Sequence, residues 1–169
     1  MTGLLTVVPD EADVPAMVAG VKQDGVYVPS GSEQLIPGLE KVVHESAASG
    51  HKLNFVVYDG PTEMVTNYRD IAAKVQQQTG GTVIVLGNPS DASGAISDHY
   101  SRVTLEQAED KTDKQPTVAA QQMYERLNKQ QVPWTAVTAG LVAVVVVGAV
   151  IARWWQLRSR NRRAGSAAA

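Results

Sequence analysis

The chain has no cysteine. That excludes disulfides, thiolate-bound zinc and thiol catalysis, and it leaves the redox compartment undecided. Aromatic residues are scarce: one phenylalanine, five tyrosines and three tryptophans in 169 residues. The tryptophans are Trp134, Trp154 and Trp155, all in the C-terminal part. Acidic residues are missing from that part altogether, since all 17 Asp and Glu precede Trp134. Only ten Lys and Arg precede it with them, so the long N-terminal part is acidic. Affinity for phosphate backbones needs basic groups, so a nucleic-acid partner is not expected.

Charge of either sign is absent from Thr135–Ala152, which consists of Val, Ala, Gly, Thr, Leu and Ile. At about 1.5 Å per residue, a helix from Trp134 to Trp154 covers roughly 30 Å, the thickness of a bilayer's hydrocarbon core. In lipid a single apolar run must satisfy its own backbone and so must be helical. Tryptophan at both ends suits the two headgroup zones. The sequence therefore predicts one transmembrane helix over 134–155, with the lipid bilayer as its first partner. Arg153, Arg158, Arg160, Arg162 and Arg163 follow the run. Basic residues close to a span stay in the cytoplasm, which puts the tail inside and the N-terminal domain outside. Met1–Val8 lacks the charged n-region of a secretory signal, and that favours the rival, tail-anchored topology with the domain in the cytoplasm.

The part before the anchor alternates helical and strand patterns. Val14, Met17, Val18 and Val21 predict a helix over Glu11–Gln23, closed by Asp24-Gly25. Val26-Tyr27-Val28 is a short edge strand or extended chain. Leu35, Ile36, Leu39, Val42 and Val43 form one helical stripe, ended by Gly50. Lys52–Tyr58 reads as a strand, followed by the turn Asp59-Gly60-Pro61. Tyr68, Ile71, Ala72 and Val75 mark a third helix starting near Thr66. Thr82–Leu86 is the clearest strand, apolar throughout and so covered on both faces. A helix links these two strands, which predicts parallel pairing through a right-handed crossover. Gly87–Ser97 reads as a loop, Ile96–Val103 as an edge strand or a helix start, and Glu106–Lys114 as a solvated helix end or linker. Thr117–Gln131 is a last helix with a thin apolar face, either a stalk or docked. The expected division is an α/β domain over 1–110, a linker or stalk helix over 111–133, the span 134–155 and a basic tail over 156–169.

Leu39-Glu-Lys-Val-Val, Leu53-Asn-Phe-Val-Val-Tyr, Tyr68-Arg-Asp-Ile-Ala and Thr82-Val-Ile-Val-Leu follow one another in the order helix, strand, helix, strand. This text resembles the TPM domain, and more closely an actinobacterial family of small TPM-like membrane proteins with one C-terminal anchor. The resemblance implies a small three-layer α/β domain with a short, mostly parallel sheet, held outside the cytoplasm. Some TPM domains are weak phosphatases or bind calcium through acidic loops. The acidic turn that precedes the last core strand in the wider family is Gly80-Gly81 here, so neither role carries over through matching residues.

Chemistry-bearing residues are few. His44 lies beside a helical stripe and His51 at a helix end, and neither has a ligand-spaced partner. Asp91, Asp98 and His99 fall with several serines in one stretch after the clearest strand, where open α/β sheets place ligand sites. They are candidate metal ligands for a hydrolytic site, although Asp, Ser, Gly and Asn are also ordinary turn formers. No catalytic set and no cofactor is assigned. In the anchor, Gly140, Ala143 and Gly148 belong to small residues spaced four apart, the spacing that lets membrane helices approach closely. Self-association or a protein partner is expected there. The sequence thus predicts an accessory or scaffold protein of the cell membrane. The alternatives are a metal-dependent phosphatase using the Asp91–His99 stretch, or a cytoplasmic tail-anchored adaptor.

Overall fold

The computed structural model describes residues 8–61, 64–88, 92–129, 138, 140–149 and 151–153. The chain divides into two units, Met1–Gln130 and Gln131–Ala169.

In the first unit, helix α1 (Val14–Asp24) starts where the Asp13 carboxylate accepts the Ala16 N–H at 3.0 Å. It stops at Gly25, whose φ of 79° is left-handed and costs glycine nothing. The two-residue β1 (Val26–Tyr27) follows. A short 3-10 turn, Glu33–Leu35, feeds α2 (Ile36–Ala48), and β2 is Leu53–Tyr58. The Ser46 hydroxyl donates to the Val43 carbonyl and accepts the Leu53 N–H, tying α2 to the start of β2. Then come α3 (Thr66–Thr79), β3 (Thr82–Gly87), β4 (Ser93–Ser97), α4 (Arg102–Glu109) and α5 (Pro116–Lys129).

The strands form one sheet in the order β1-β2-β3-β4. The first three are parallel, with Leu53 opposite Thr82 and Tyr58 opposite Gly87. Strand β4 runs antiparallel to β3, with Thr82 opposite Ser97 and Leu86 opposite Ser93. Strand alternation sends Leu53, Phe55, Val57, Ile84 and Leu86 to one face, under α2, α4 and α5. Val56, Tyr58, Val83 and Val85 go to the other, under α1 and α3. All six residues of β2 and of β3 are buried, which matches strands covered on both faces.

The parallel pairing of β2 and β3 is as expected. The handedness is not uniform. Helices α2 and α3 connect successive strands of a sheet laid down in sequence order, yet they lie on opposite faces. The two crossovers therefore have opposite hands, and only one obeys the usual right-handed rule. With two residues in β1, strand twist has little leverage on one of them.

One segment corrects the sequence reading, and two others decide between its alternatives. Residues 93–97, expected to be loop, form β4 on the sheet edge. The helix start expected within 96–103 is that of α4, which ends at Glu109, is capped by the Ser101 hydroxyl at the Thr104 N–H and, where solvation was expected, is anchored by buried Leu105 and Ala108. Helix α5 is no stalk: Ala119, Ala120, Met123 and Leu127 are buried in the core. Its thin apolar face suffices because alanines let the helix sit close to the sheet. The Arg126 guanidinium adds three contacts, donating to the carbonyls of Ala108, Asp110 and Lys111. Those carbonyls at the end of α4 would otherwise lack partners.

In the second unit, Thr138, Gly140–Ala149 and Ile151–Arg153 are helical and exposed. Among the described residues, no helix is long and apolar enough to cross a membrane. The span expected over 134–155 falls partly outside them. So do all three tryptophans, the tail and Asp91.

Candidate functional site

Asp98 and His99 do not share a loop with the chain that follows β3. Strand β4 lies between them and Ala92, and six steps of about 3.4 Å carry the chain roughly 20 Å to the other end of the sheet. There the Asp98 carboxylate accepts the Gly81 N–H at 3.1 Å. The Ser97 hydroxyl meets the Thr82 hydroxyl at 2.7 Å and accepts the N–H groups of His99 and Tyr100 at 2.9 Å each. These bonds hold a turn. The His99 ring stacks on His51, centroids 3.7 Å apart and planes 19° apart, with Tyr100 edge-on to both. Among the described residues, no three His, Asp or Glu side chains are placed to hold a metal ion.

A better-formed site lies along the outer edge of β4. Gly87 donates to the Ala92 carbonyl at 2.9 Å, which sets the parity of the ladder. Ala92, Gly94 and Ile96 therefore turn their backbone groups toward β3, and Ser93, Ala95 and Ser97 turn theirs away from it. Glu109 of α4 borders this stretch of the edge, and the Ala95 N–H acts to lower its carboxyl against the effect of burial. Beside it is a cleft of about 210 Å3, walled by the first turns of α3 (Val65, Thr66, Arg69), by β4 and by α4 (Arg102, Glu106, Glu109). Gly94 is compulsory on the inner wall. A Cβ there would stand 2.3 Å from the Arg69 nitrogen and 2.6 Å from the Tyr68 carbonyl carbon, both backbone atoms.

Two guanidinium groups converge on one carboxylate at the mouth. Arg102 Nε donates to Glu106 Oε1 at 2.6 Å, and Arg69 Nη1 lies 3.8 Å from the same oxygen. The Arg102 bond holds the Glu106 carboxyl below its ordinary range. Glu109 goes the other way: burial raises its carboxyl, opposed by the Ala95 N–H. Sequence reading missed this site. Arg102 and Glu106 are four apart on one helix, a legible pair, but Arg69 and Ala95 join them only through the fold.

The comparisons with known proteins are decisive on kinship. Residues 7–166 match a family described as Membrane protein Rv1476. The chain belongs to that family. Membrane protein Rv1476 of Mycobacterium tuberculosis is 33% identical to it over 163 residues, covering 96% of this chain and 86% of the relative. The TPM domain is named in neither. No solved structure matches the chain.

Proposed function

We propose that this Rv1476-family chain is a single-pass membrane protein whose α/β domain, TPM-like in its apolar text, is a non-enzymatic docking module for a partner protein. The observation that carries the reading is the helical stretch Gly140–Ala149. It bears no charge, and its large side chains face solvent, with Val144 70% and Val145 69% exposed. Contiguous apolar surface of this kind marks a surface made to be covered. Lipid is the covering that fits a run of this length flanked by tryptophans and followed by five arginines. A Cβ at Gly140 or Gly148 would meet nothing within 4 Å, so both leave room for another helix at close range together with Ala143. The arginine tail sits in the cytoplasm and the domain outside.

The absence of native cysteine makes the test simple. Gln77→Cys, exposed on α3, and Ser166→Cys in the tail are labelled with an impermeant maleimide in intact cells. Labelling at 77 alone is expected. Labelling at 166 alone would make the chain a cytoplasmic tail-anchored adaptor, and release of the protein by alkaline carbonate would end the membrane reading. Photo-crosslinkers at Gln34, Gln77 and Val103 test docking, and it fails if no position yields a protein adduct of defined size.

A further inference from the structure

We infer that the pocket at the edge where β2 and β3 begin, between the last turns of α1 and α3, seats the phosphate of an anionic lipid headgroup, with Lys22 and Lys52 as its cations. This rests on the membrane anchoring proposed above and gives the α/β domain its own hold on lipid.

The pocket has a volume of about 310 Å3, with Lys22, Lys52, Asn54, Thr79, Gly80 and Gly81 on its walls and no carboxylate among them. Acids outnumber bases before Trp134, yet neither lysine is paired. Among the described residues the ion pairs are Lys41–Glu45, Arg69–Glu106 and Arg102–Glu106. The acids nearest to the pocket are engaged or set apart. Asp98 accepts the Gly81 N–H. Asp24 and Glu40 line the neighbouring cavity, which shares Lys52, and neither pairs with its ammonium. A Cβ at Gly25 would stand 3.1 Å from the Lys52 Cε, so the lysine stem lies across that turn. Asn54 is buried and spends one of its two amide hydrogens on the Thr82 carbonyl at 3.2 Å, which leaves the other for a phosphate oxygen. Two helices end here, and helix ends are partly negative. Their caps take up carbonyls: Gly25 N–H bonds Val21, Gly80 N–H bonds Gln76, and the Thr79 hydroxyl bonds Val75. The two ammonium groups are therefore free for an anion, and lysine binds phosphate as a point charge.

The course of α5 picks lipid as the source of the phosphate. Helix α5 starts beside the first turn of α2, where a Cβ at Gly38 would stand 2.7 Å from the Thr117 Cγ2. It passes the end of α2, where the Tyr124 hydroxyl bonds the Ser49 hydroxyl at 2.8 Å and reaches the Glu45 carbonyl at 3.3 Å. It thus runs along α2 in the same direction and finishes at the edge where Leu53 and Thr82 open their strands. The pocket lies on that edge. Trp134 is five residues beyond Lys129 in the sequence, and five residues of extended chain reach at most about 18 Å. Lys129 therefore stays within that reach of the headgroup zone. The same edge carries the stacked rings of His51 and His99, with Tyr100 edge-on to both. Rings with an apolar body and a polar tip suit that zone. Lysines this near an anionic leaflet are drawn to it.

The test places the full-length chain in nanodiscs of phosphatidylcholine alone and in discs with an increasing share of phosphatidylglycerol. Phosphatidylglycerol should shift the backbone amide signals of Lys22, Lys52, Gly80 and Gly81. Free glycerol 3-phosphate added to phosphatidylcholine discs at the same total phosphate should leave them unmoved. Both lysines are exposed, so their replacement spares the core. Lys22→Gln and Lys52→Gln should each raise the half-saturating share of phosphatidylglycerol about fivefold, the weight of one basic residue at an anionic surface, and the double variant should abolish the shifts. Lys114→Gln, ahead of α5 and exposed, should match the wild type. Shifts that survive the double variant overturn the inference. An equal response to free glycerol 3-phosphate does so too, since it would make the pocket a soluble-phosphate site. Capture by the discs without any shift overturns this inference alone, whereas a chain that neither kind of disc captures overturns the anchoring and this inference with it.

Discussion

The Asp98 carboxylate accepts the Gly81 N–H at 3.1 Å, across 17 residues of sequence. Gly80 and Gly81 have φ of 70° and 72°, two successive left-handed positions that need glycine. Asp98 thus fixes the turn that aims β3, and a side chain that looks like a metal ligand in the sequence is spent on the backbone. Asp98→Ala should lower stability by about 1 kcal/mol, the net worth of one such bond at the surface. Urea midpoints measure this. Calcium or magnesium should shift neither protein, and a metal-dependent rise in the wild type that Asp98→Ala abolishes would restore the hydrolase reading.

Helix α5 reports whether the domain ends near residue 110 or continues. Met123 is fully buried against the sheet. Met123→Ala should therefore cost about 2–4 kcal/mol, as other buried Met-to-Ala changes do. A free stalk would predict almost no change. Thermal or urea unfolding of the full chain separates the two, with the exposed Asn128→Ala as a control.

What the sequence disclosed was whatever depends on neighbours along the chain. The stripe Leu35, Leu39, Val42 and Val43 and the solid apolar run Thr82–Leu86 were legible because a helix period or a buried strand writes itself into consecutive letters. Strand β4, Ser-Gly-Ala-Ile-Ser, was not. It carries one large apolar residue, and Gly94 is there for the backbone of Arg69 rather than for any strand preference. Helix α4 shows two buried residues, Leu105 and Ala108, too few for a stripe. The pairings Asp98 with Gly81, His99 with His51 and Glu109 with Ala95 join distant segments, and no local pattern announces them.

Glu109 should give the domain a pH dependence of a definite sign. Burial lifts its carboxyl above the ordinary 4.5 in the folded state. Below that ordinary value the group is neutral in folded and unfolded chains alike. As pH rises through the raised folded value, the unfolded state ionises more readily and stability is lost. Glu109→Gln keeps the size and shape of the side chain and removes the charge. Unfolding free energies at pH 4.5 and pH 8 should therefore fall less for Glu109→Gln than for the wild type, with the variant at least as stable at pH 8. Equal slopes would mean that Glu109 is solvated in the folded chain.

The anchor itself is tested by one charge at its middle. The nine Val, Leu and Ile side chains of Thr135–Ala152 supply roughly 3–5 kcal/mol of insertion energy at about 0.3–0.6 each, and the Ala, Gly and Thr residues add little. An arginine near the centre costs about 2.5–3.5 kcal/mol. Val145→Arg should consequently cancel most of the drive to insert. Carbonate extraction should move a large part of that variant to the supernatant, while Val103→Arg, on an exposed position of α4, should stay with the wild type in the membrane pellet. A span this poor in leucine has little surplus, so a single substitution is decisive here where a leucine-rich anchor would absorb it. If Val145→Arg pellets as fully as the wild type, the helix is covered by protein and not by lipid.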